Sequence, residues 1–275
     1  MPVIKTHAQG AVTIRTRAQD SVNIDTTAQH TFVVEQAPSS GMPSTIAYAW
    51  EATALVLSDG DPVPSWVDSV AAVDLAQSTP SARPAYVADL GSTGYPGVNF
   101  DGTDDYLWTS DAGLCAVFSD AVARPAFTIY AVMLNGGTSS RWALAAGSSS
   151  NANPIIGVQS GGAASDTFYL RDDAGTLRNP TSTISSGKRV LTLQMDSAGL
   201  QYSWDNRTAR LTGATAAAGS GGWTMNRFAL GGLLRSTFSN PSTQDFFAVY
   251  VADTVHDASQ RTEVWDYLTT KWGTP

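Results

Sequence analysis

The chain runs to 275 residues with a net charge of −8, only 15% charged residues and a single cysteine. That acidity argues against a nucleic-acid partner, which needs a basic footprint. Cys115 alone excludes an intrachain disulfide, and nothing approaches the roughly 18 consecutive apolar residues of a spanning helix. Glycine is abundant at 24 residues, while glutamate occurs only at Glu35, Glu51 and Glu263. So few strong helix formers predict an all-β chain with long, small-residue loops. At this size a core forms without staples, and Cys115 reads as a small buried apolar residue beside Leu114.

Residues 1–36 carry a ten-residue repeat, Ile-x-Thr-x-Ala-Gln, starting at Ile4, Ile14 and Ile24, followed by Phe32 and Val34. Val12, Ile14, Val22 and Ile24 all fall on even positions, the alternation of a strand. Two-residue hairpins would flip that set from strand to strand. Three-residue turns or a parallel coil keep it on one side. A ribbon this short with one apolar face cannot make a core alone. Residues 1–36 are therefore expected to be a docking or oligomerising arm, its assembly face formed by Ile4, Val12, Ile14, Val22, Ile24, Phe32 and Val34. The alternative is an arm that extends the sheet of the domain after it.

Residues 37–45, with two prolines and a glycine, form a linker by composition. Residues 46–275 read as one sandwich. Trp50, Trp66-Val-Asp68 and Arg83-Pro84 lead into Val98-Asn-Phe-Asp-Gly-Thr-Asp-Asp-Tyr-Leu107. This last stretch starts as a strand, breaks at the turn-forming Asp101-Gly102 and resumes at Tyr106 and Leu107. The order Trp…Trp-x-Asp…Arg-Pro…Phe-Asp-Gly-x-x-Asp-Tyr-Leu resembles the concanavalin A-like lectin/glucanase superfamily, in particular its laminin-G-like branch found in bacterial and phage proteins. The resemblance implies a two-sheet antiparallel jelly roll.

Further on, residues 126–134 place Phe127, Ile129, Ala131 and Met133 on one face, with Tyr130 and Val132 opposite. Residues 190–195 and 200–204 flank Asp196-Ser-Ala-Gly199 as a hairpin. In it Leu191, Leu193 and Met195 share one face, as do Leu200, Tyr202 and Trp204. Residues 228–234 and 246–251 are apolar on both faces, as central strands are. The chain closes in a helix. Asp257-Ala-Ser-Gln260 supplies a capping box, Val264, Tyr267, Leu268 and Trp272 an apolar face, and Gly273 the stop. The segment from Glu263 to Gly273 is similar to the terminal helix of the same superfamily.

The chemistry-bearing residues are sparse. The pairs Asp59/Asp61, Asp104/Asp105 and Asp172/Asp173 fall in turns, and the glutamates are isolated. No paired carboxylates of a glycosidase are visible. His7, His30 and His256 lack metal-ligand spacing, and no nucleophile elbow is present. The expectation is a protein that is not an enzyme. Asp101, Asp104 and Asp105 have the ligand type for calcium, which laminin-G-like domains often carry; the plainer reading has them bonding turn backbones. Trp142, Tyr169 and Trp223 sit in or near polar loops as candidates for a glycan platform, whereas Trp50, Trp66, Trp204, Trp265 and Trp272 read as core.

With no charged n-region before an apolar run, no Sec signal is expected. Taken with the resemblance to phage proteins, which is what implies a phage, the arm and the sandwich with its sparse chemistry lead to one expectation, made in a host cytoplasm and placed on a virion surface. It is a phage capsid decoration protein or tail adhesin, its arm holding other virion proteins or copies of itself and its sandwich reaching cell-surface polysaccharide. The alternatives are a soluble, calcium-assisted carbohydrate-binding module and a glycoside hydrolase with an unrecognised site.

Overall fold

The computed structural model describes residues 12–16, 32–36, 41–120, 124–134, 139–150, 154–161, 165–172, 177–178, 180–185, 187–215 and 222–275. Two antiparallel sheets pack face to face as a jelly-roll sandwich. Among the described residues the first sheet has nine strands. Eight follow the order Leu177–Arg178, Ser165–Arg171, Ile155–Gly161, Ser139–Gly147, Arg227–Leu230, Leu107–Thr109, Asp74–Ala76 and Ser65–Val67, and Thr181–Thr183 pairs beside Ser165–Arg171. The second sheet has eight strands. Its path runs Thr208–Thr215, Leu200–Asp205, Lys188–Met195, Phe127–Leu134, Asp245–Ala252, Gly97–Asn99 and Ala85–Val87, with Tyr48–Glu51 also on Asp245–Ala252.

Alternation along the central strands builds two apolar layers. Phe127, Ile129, Ala131 and Met133 face the first sheet and meet Leu144, Ile156, Phe168 and Phe228 in the main core. Tyr130 and Val132, on the opposite face, pack with Val264, Leu268 and Trp272 of the C-terminal helix Ala258–Trp272. The helix is set as its sequence dictates. Asp257 accepts from the Gln260 amide at 2.9 Å and Gln260 accepts from the Asp257 amide at 2.9 Å. Gly273 ends the helix in the left-handed region at φ 59°. Glu51 fastens the helix to the sheet from below. Its Oε1 accepts from the hydroxyls of Tyr250 and Tyr267, each at 2.8 Å, and its Oε2 from Lys271 Nζ at 2.5 Å.

The stretch around Val98–Leu107 changes sheets. Gly97–Asn99 lies in the eight-stranded sheet and Leu107–Thr109 in the nine-stranded one. The turn between them needs Gly102 at φ +74°, where a Cβ would also strike the Thr243 methyl. Residues 228–234 differ from expectation. They form Arg227–Leu230 and a separate pair, Leu233–Leu234 with Phe238–Ser239. Gly231 at φ +81° breaks the ladder between them. Cys115 is buried in the short helix Ala112–Val117, and burial pushes its thiol up to about 11.

In the arm, Val12–Thr16 pairs with Phe32–Gln36, Val12 opposite Phe32 and Ile14 opposite Val34. The pairing is parallel, as in the coil alternative; neighbouring strands of a meander run antiparallel. Ile4, Val22 and Ile24 lie outside the described residues. Among the described residues no helix is long and apolar enough to cross a membrane.

Candidate functional site

Of the three aromatics expected to form a platform, the fold brings two together. Trp142 and Tyr169 meet edge to face, with ring centroids 4.8 Å apart and planes at 72°. Both stand on the outer face of the nine-stranded sheet, beside Ala145, Ile155 and Leu233 in a small cluster separate from the main core. A gap in the sheet surface makes room for them. Gly157 pairs with Tyr169 across the ladder, and a register shift between Trp142 and Leu144 draws the neighbouring strand over it. A Cβ at Gly157 would come to 2.5 Å from the Leu144 carbonyl oxygen and 2.9 Å from the Trp142 ring. The absent side chain is what lets the indole come this close to the strand.

Trp142 is only 2% exposed, so it supports Tyr169 rather than offering a ligand a face of its own, a correction to the platform expectation; its indole nitrogen is buried without a hydrogen-bond partner among the described residues. Tyr169 is half-buried and presents the open part of the pair. Gln159 and Thr167 pair with each other one step along the same two strands. Period-two alternation puts them on the same face as Tyr169, both half-buried. The result is one partly open phenol ring, braced by a buried indole and flanked by amide and hydroxyl groups, residue types that sugar recognition uses.

Trp223 is a correction. It is 4% exposed, lies in the main core and pairs its backbone with Asp120, so it offers no face to a ligand. The polar, glycine-rich residues before it suggested a loop; the bridge to Asp120 turns the ring inward. Trp50, Trp66, Trp204, Trp265 and Trp272 are all buried, as expected.

The turn aspartates do gather. Asp101, Asp104 and Asp105 place one carboxylate oxygen each within 4.8 Å of the others. Two of them already serve the turn. Asp101 Oδ1 accepts from the amides of Thr103 at 2.7 Å and Asp104 at 3.3 Å, and Asp105 Oδ2 accepts from the Asp101 amide at 3.0 Å. Burial, then the charges of Asp101 and Asp104, push the Asp105 carboxyl up to about 6 against the pull of that amide. Calcium takes six to eight oxygens. Three carboxylates, two of them partly engaged, leave most of that shell to water and fit a weak site at best. The loop's own hydrogen bonds account for the aspartates as turn residues.

His256 lies inside the fold. Its Nδ1 is 2.8 Å from the Tyr130 hydroxyl, and burial holds its pKa below the ordinary value.

The fold is a jelly-roll sandwich with a C-terminal helix. No protein-family model matches the chain, and no curated protein matches it, so the laminin-G-like branch remains a resemblance. Solved structures do share the fold. A Trypanosoma rangeli sialidase in complex with sialic acid superimposes with a TM-score of 0.54 at 16% identity, over 86% of this chain and 35% of that one. The binding domain of botulinum neurotoxin serotype G gives a TM-score of 0.56 at 8% identity, over 84% of this chain and 54% of that one. NanB with optactamide, NanB being a Streptococcus pneumoniae sialidase, gives 0.50 at 10% identity over 60% of this chain and 26% of that one. The chain thus spans about a third of the first sialidase and about half of the toxin domain.

These likenesses correct one expectation. The scattered aspartates and glutamates pointed to a protein that is not an enzyme, yet two of these neighbours are sialidases. Lack of a legible carboxylate pair is no ground for excluding glycoside hydrolysis from a chain of this fold. At these identities the comparisons show the fold.

Proposed function

We propose that the sandwich is a glycan-recognition domain that holds sugar on the outer face of the nine-stranded sheet, against Tyr169, whose ring the buried Trp142 braces. One observation carries this reading: an edge-to-face aromatic pair seated over a bare glycine, beside polar groups and outside the main core. Support comes from structural neighbours that include a sialidase in complex with sialic acid and a toxin binding domain. A glycan array probed with the full chain and with Tyr169→Ala tests it. The expected result is a defined set of bound glycans, weakened about fivefold or more when the phenol is removed, in keeping with roughly 1 kcal/mol or more from an aromatic contact. An array blank with the wild-type chain, or unchanged by Tyr169→Ala, refutes the reading. Adding a chelator separates a calcium-assisted module from this one, for which no loss is expected because the turn aspartates bond their own loop.

Hydrolysis is the second reading, favoured by the sialidase likenesses. Release of free sugar from the glycans captured on the array assigns it to this chain. In the same proposal residues 1–36 form a docking arm and 37–45 a linker to the sandwich. The arm joins the domain to copies of itself or to a larger particle such as a virion, at whose surface the sandwich meets polysaccharide. Its parallel strand pair supports a coil that stacks on neighbouring chain. Light scattering on the full chain and on a 37–275 fragment tests this: the fragment should lose self-association or particle binding and keep its glycans.

A further inference from the structure

Of the eight tryptophans, seven are buried and Trp108 alone is half-buried. It stands on Leu107–Thr109 in the nine-stranded sheet. Leu75, Leu107 and Phe228 point into the main core, so period-two alternation turns Ala76, Trp108 and Arg227 to the outer face. Across the ladder Trp108 pairs with Ala229 on one side and Ala76 on the other, and Ser65 follows Ala76 on the edge strand. These neighbours are small, and Ala76 and Ser65 are themselves half-buried. The indole therefore rises above the sheet surface toward its edge, where a ligand needs no cavity to reach it. Tyr169 lies four strands away along the same row, through Gly157, Ala145 and Ala229, or about 19 Å at ~4.8 Å per strand.

Arg227 is fixed against this ring. Its Cζ lies 5.2 Å from the Trp108 ring centroid, within cation–π range. Its Nη1 donates to the Arg235 carbonyl, in the turn between Leu233–Leu234 and Phe238–Ser239. The other edge of the guanidinium, Nε and Nη2, bonds nothing among the described residues and is not buried. Those two N–H groups are the parallel donors that meet both oxygens of a carboxylate. No carboxylate of the chain takes them: the described ion pairs employ Arg189, Arg207, Arg210 and Lys271. Asp74 shares this face, but its Oδ1 accepts from the Ser65 hydroxyl. A guanidinium already held by a carbonyl and a ring has little freedom left to lose on binding, which favours a guest.

We propose that Trp108 and Arg227 form a second binding site, one for a carboxylate-bearing sugar ring. The carboxylate takes Arg227 Nε and Nη2, and the apolar face of the ring lies against the indole on its Ala76 side. The open fork selects an acid over a neutral sugar, because only a carboxylate engages both donors with full charge. The site stands apart from the Tyr169 face and does not rest on it.

The test is ligand-observed NMR titration of the full chain with glucuronic acid, N-acetylneuraminic acid and glucose. The two acids carry the carboxylate at different ring positions, so they separate a uronic from a sialic guest. At least one acid should bind saturably and glucose should not. Raising salt from about 0.05 to about 0.5 M should weaken the acid severalfold, since the pair is open to solvent. Arg227→Gln should weaken it about tenfold or more, the loss expected of a charge-assisted bidentate pair, and Trp108→Ala about fivefold. Should Arg227→Gln not fold, Arg227→Lys carries the test, because it keeps the charge and loses the fork. Binding of neither acid, binding of glucose as tight as the acid, or an acid bound equally by wild type and the Arg227 variants overturns the proposal. So does acid binding lost in Tyr169→Ala and kept in Arg227→Gln, which would place the guest on the other face.

Discussion

Replacing Gly157 with alanine isolates the device that seats the aromatic pair. The new methyl would lie 2.5 Å from the Leu144 carbonyl oxygen, 2.9 Å from the Trp142 ring and 3.0 Å from Ala145 Cα. Two of those three neighbours are backbone, held by the ladder between Ser139–Gly147 and Ile155–Gly161, so the strands must part or the indole must lift. Overpacking of this kind costs about 1–3 kcal/mol, and the backbone entropy removed from the unfolded chain returns about 0.5–1 kcal/mol. The net loss should be about 1–2 kcal/mol, or roughly 2–8 °C in Tm for a domain of this size. Gly41→Ala is the control, because nothing lies within 4 Å of its would-be Cβ. Thermal unfolding by circular dichroism reads the stability, and the glycan array reads the face. A Gly157→Ala protein as stable as the control, with unchanged glycan binding, would refute the seating of Trp142 over Gly157.

Three further outcomes are expected. Glu51→Ala should destabilise by about 3–5 kcal/mol in denaturant titration, because the Lys271 ammonium and two tyrosine hydroxyls lose a shared buried acceptor, whereas Glu51→Gln should recover part of the loss; equal behaviour of the two variants would show that the carboxylate is not the latch. Burial pushes the Asp245 carboxyl up from 3.8 to about 6 despite its bonds to Phe100 and Asn99. The folded state therefore holds a proton that the unfolded chain releases, and the stability this group contributes is present below about 3.8 and lost as pH rises through about 6. Asp245→Asn should gain on the wild type across that window and hold a constant difference above it; a difference independent of pH would count against the buried acid. Asp257→Ala should cost about 1 kcal/mol by removing the cap of the C-terminal helix, read as a lower Tm, and no change would mean that the helix start is held by packing alone.

Much of the architecture was legible because local signals agreed with the tertiary result. Alternation in 126–134 defined both faces of a central strand, and Asp257, Gln260 and Gly273 fixed a helix at both ends through bonds that reach no further than one turn. The tryptophans assigned to the core are in it. Polarity of the flanking sequence misled for Trp223, since a bridge to a residue about a hundred positions away decides which way that ring points. In residues 98–107 the break at Asp101-Gly102 was visible, but not that the chain leaves one sheet there and joins the other.

What the sequence by itself determined is what depends on neighbours a few positions apart: strand alternation, the turn glycines, the helix caps and the ten-residue repeat. Which side of a strand faces the core was decided only in three dimensions. Leu200, Tyr202 and Trp204 share a face by period alone, yet the pairing of Leu191 with Asp205 turns Tyr202 and Trp204 toward the helix and sends Gln201, Ser203 and Asp205 between the sheets. Likewise Trp142 and Tyr169 become a pair only because a bulged strand crosses a glycine on the next one. Period fixes the set of residues on a face, and hydrogen-bond register between distant segments fixes what that face meets.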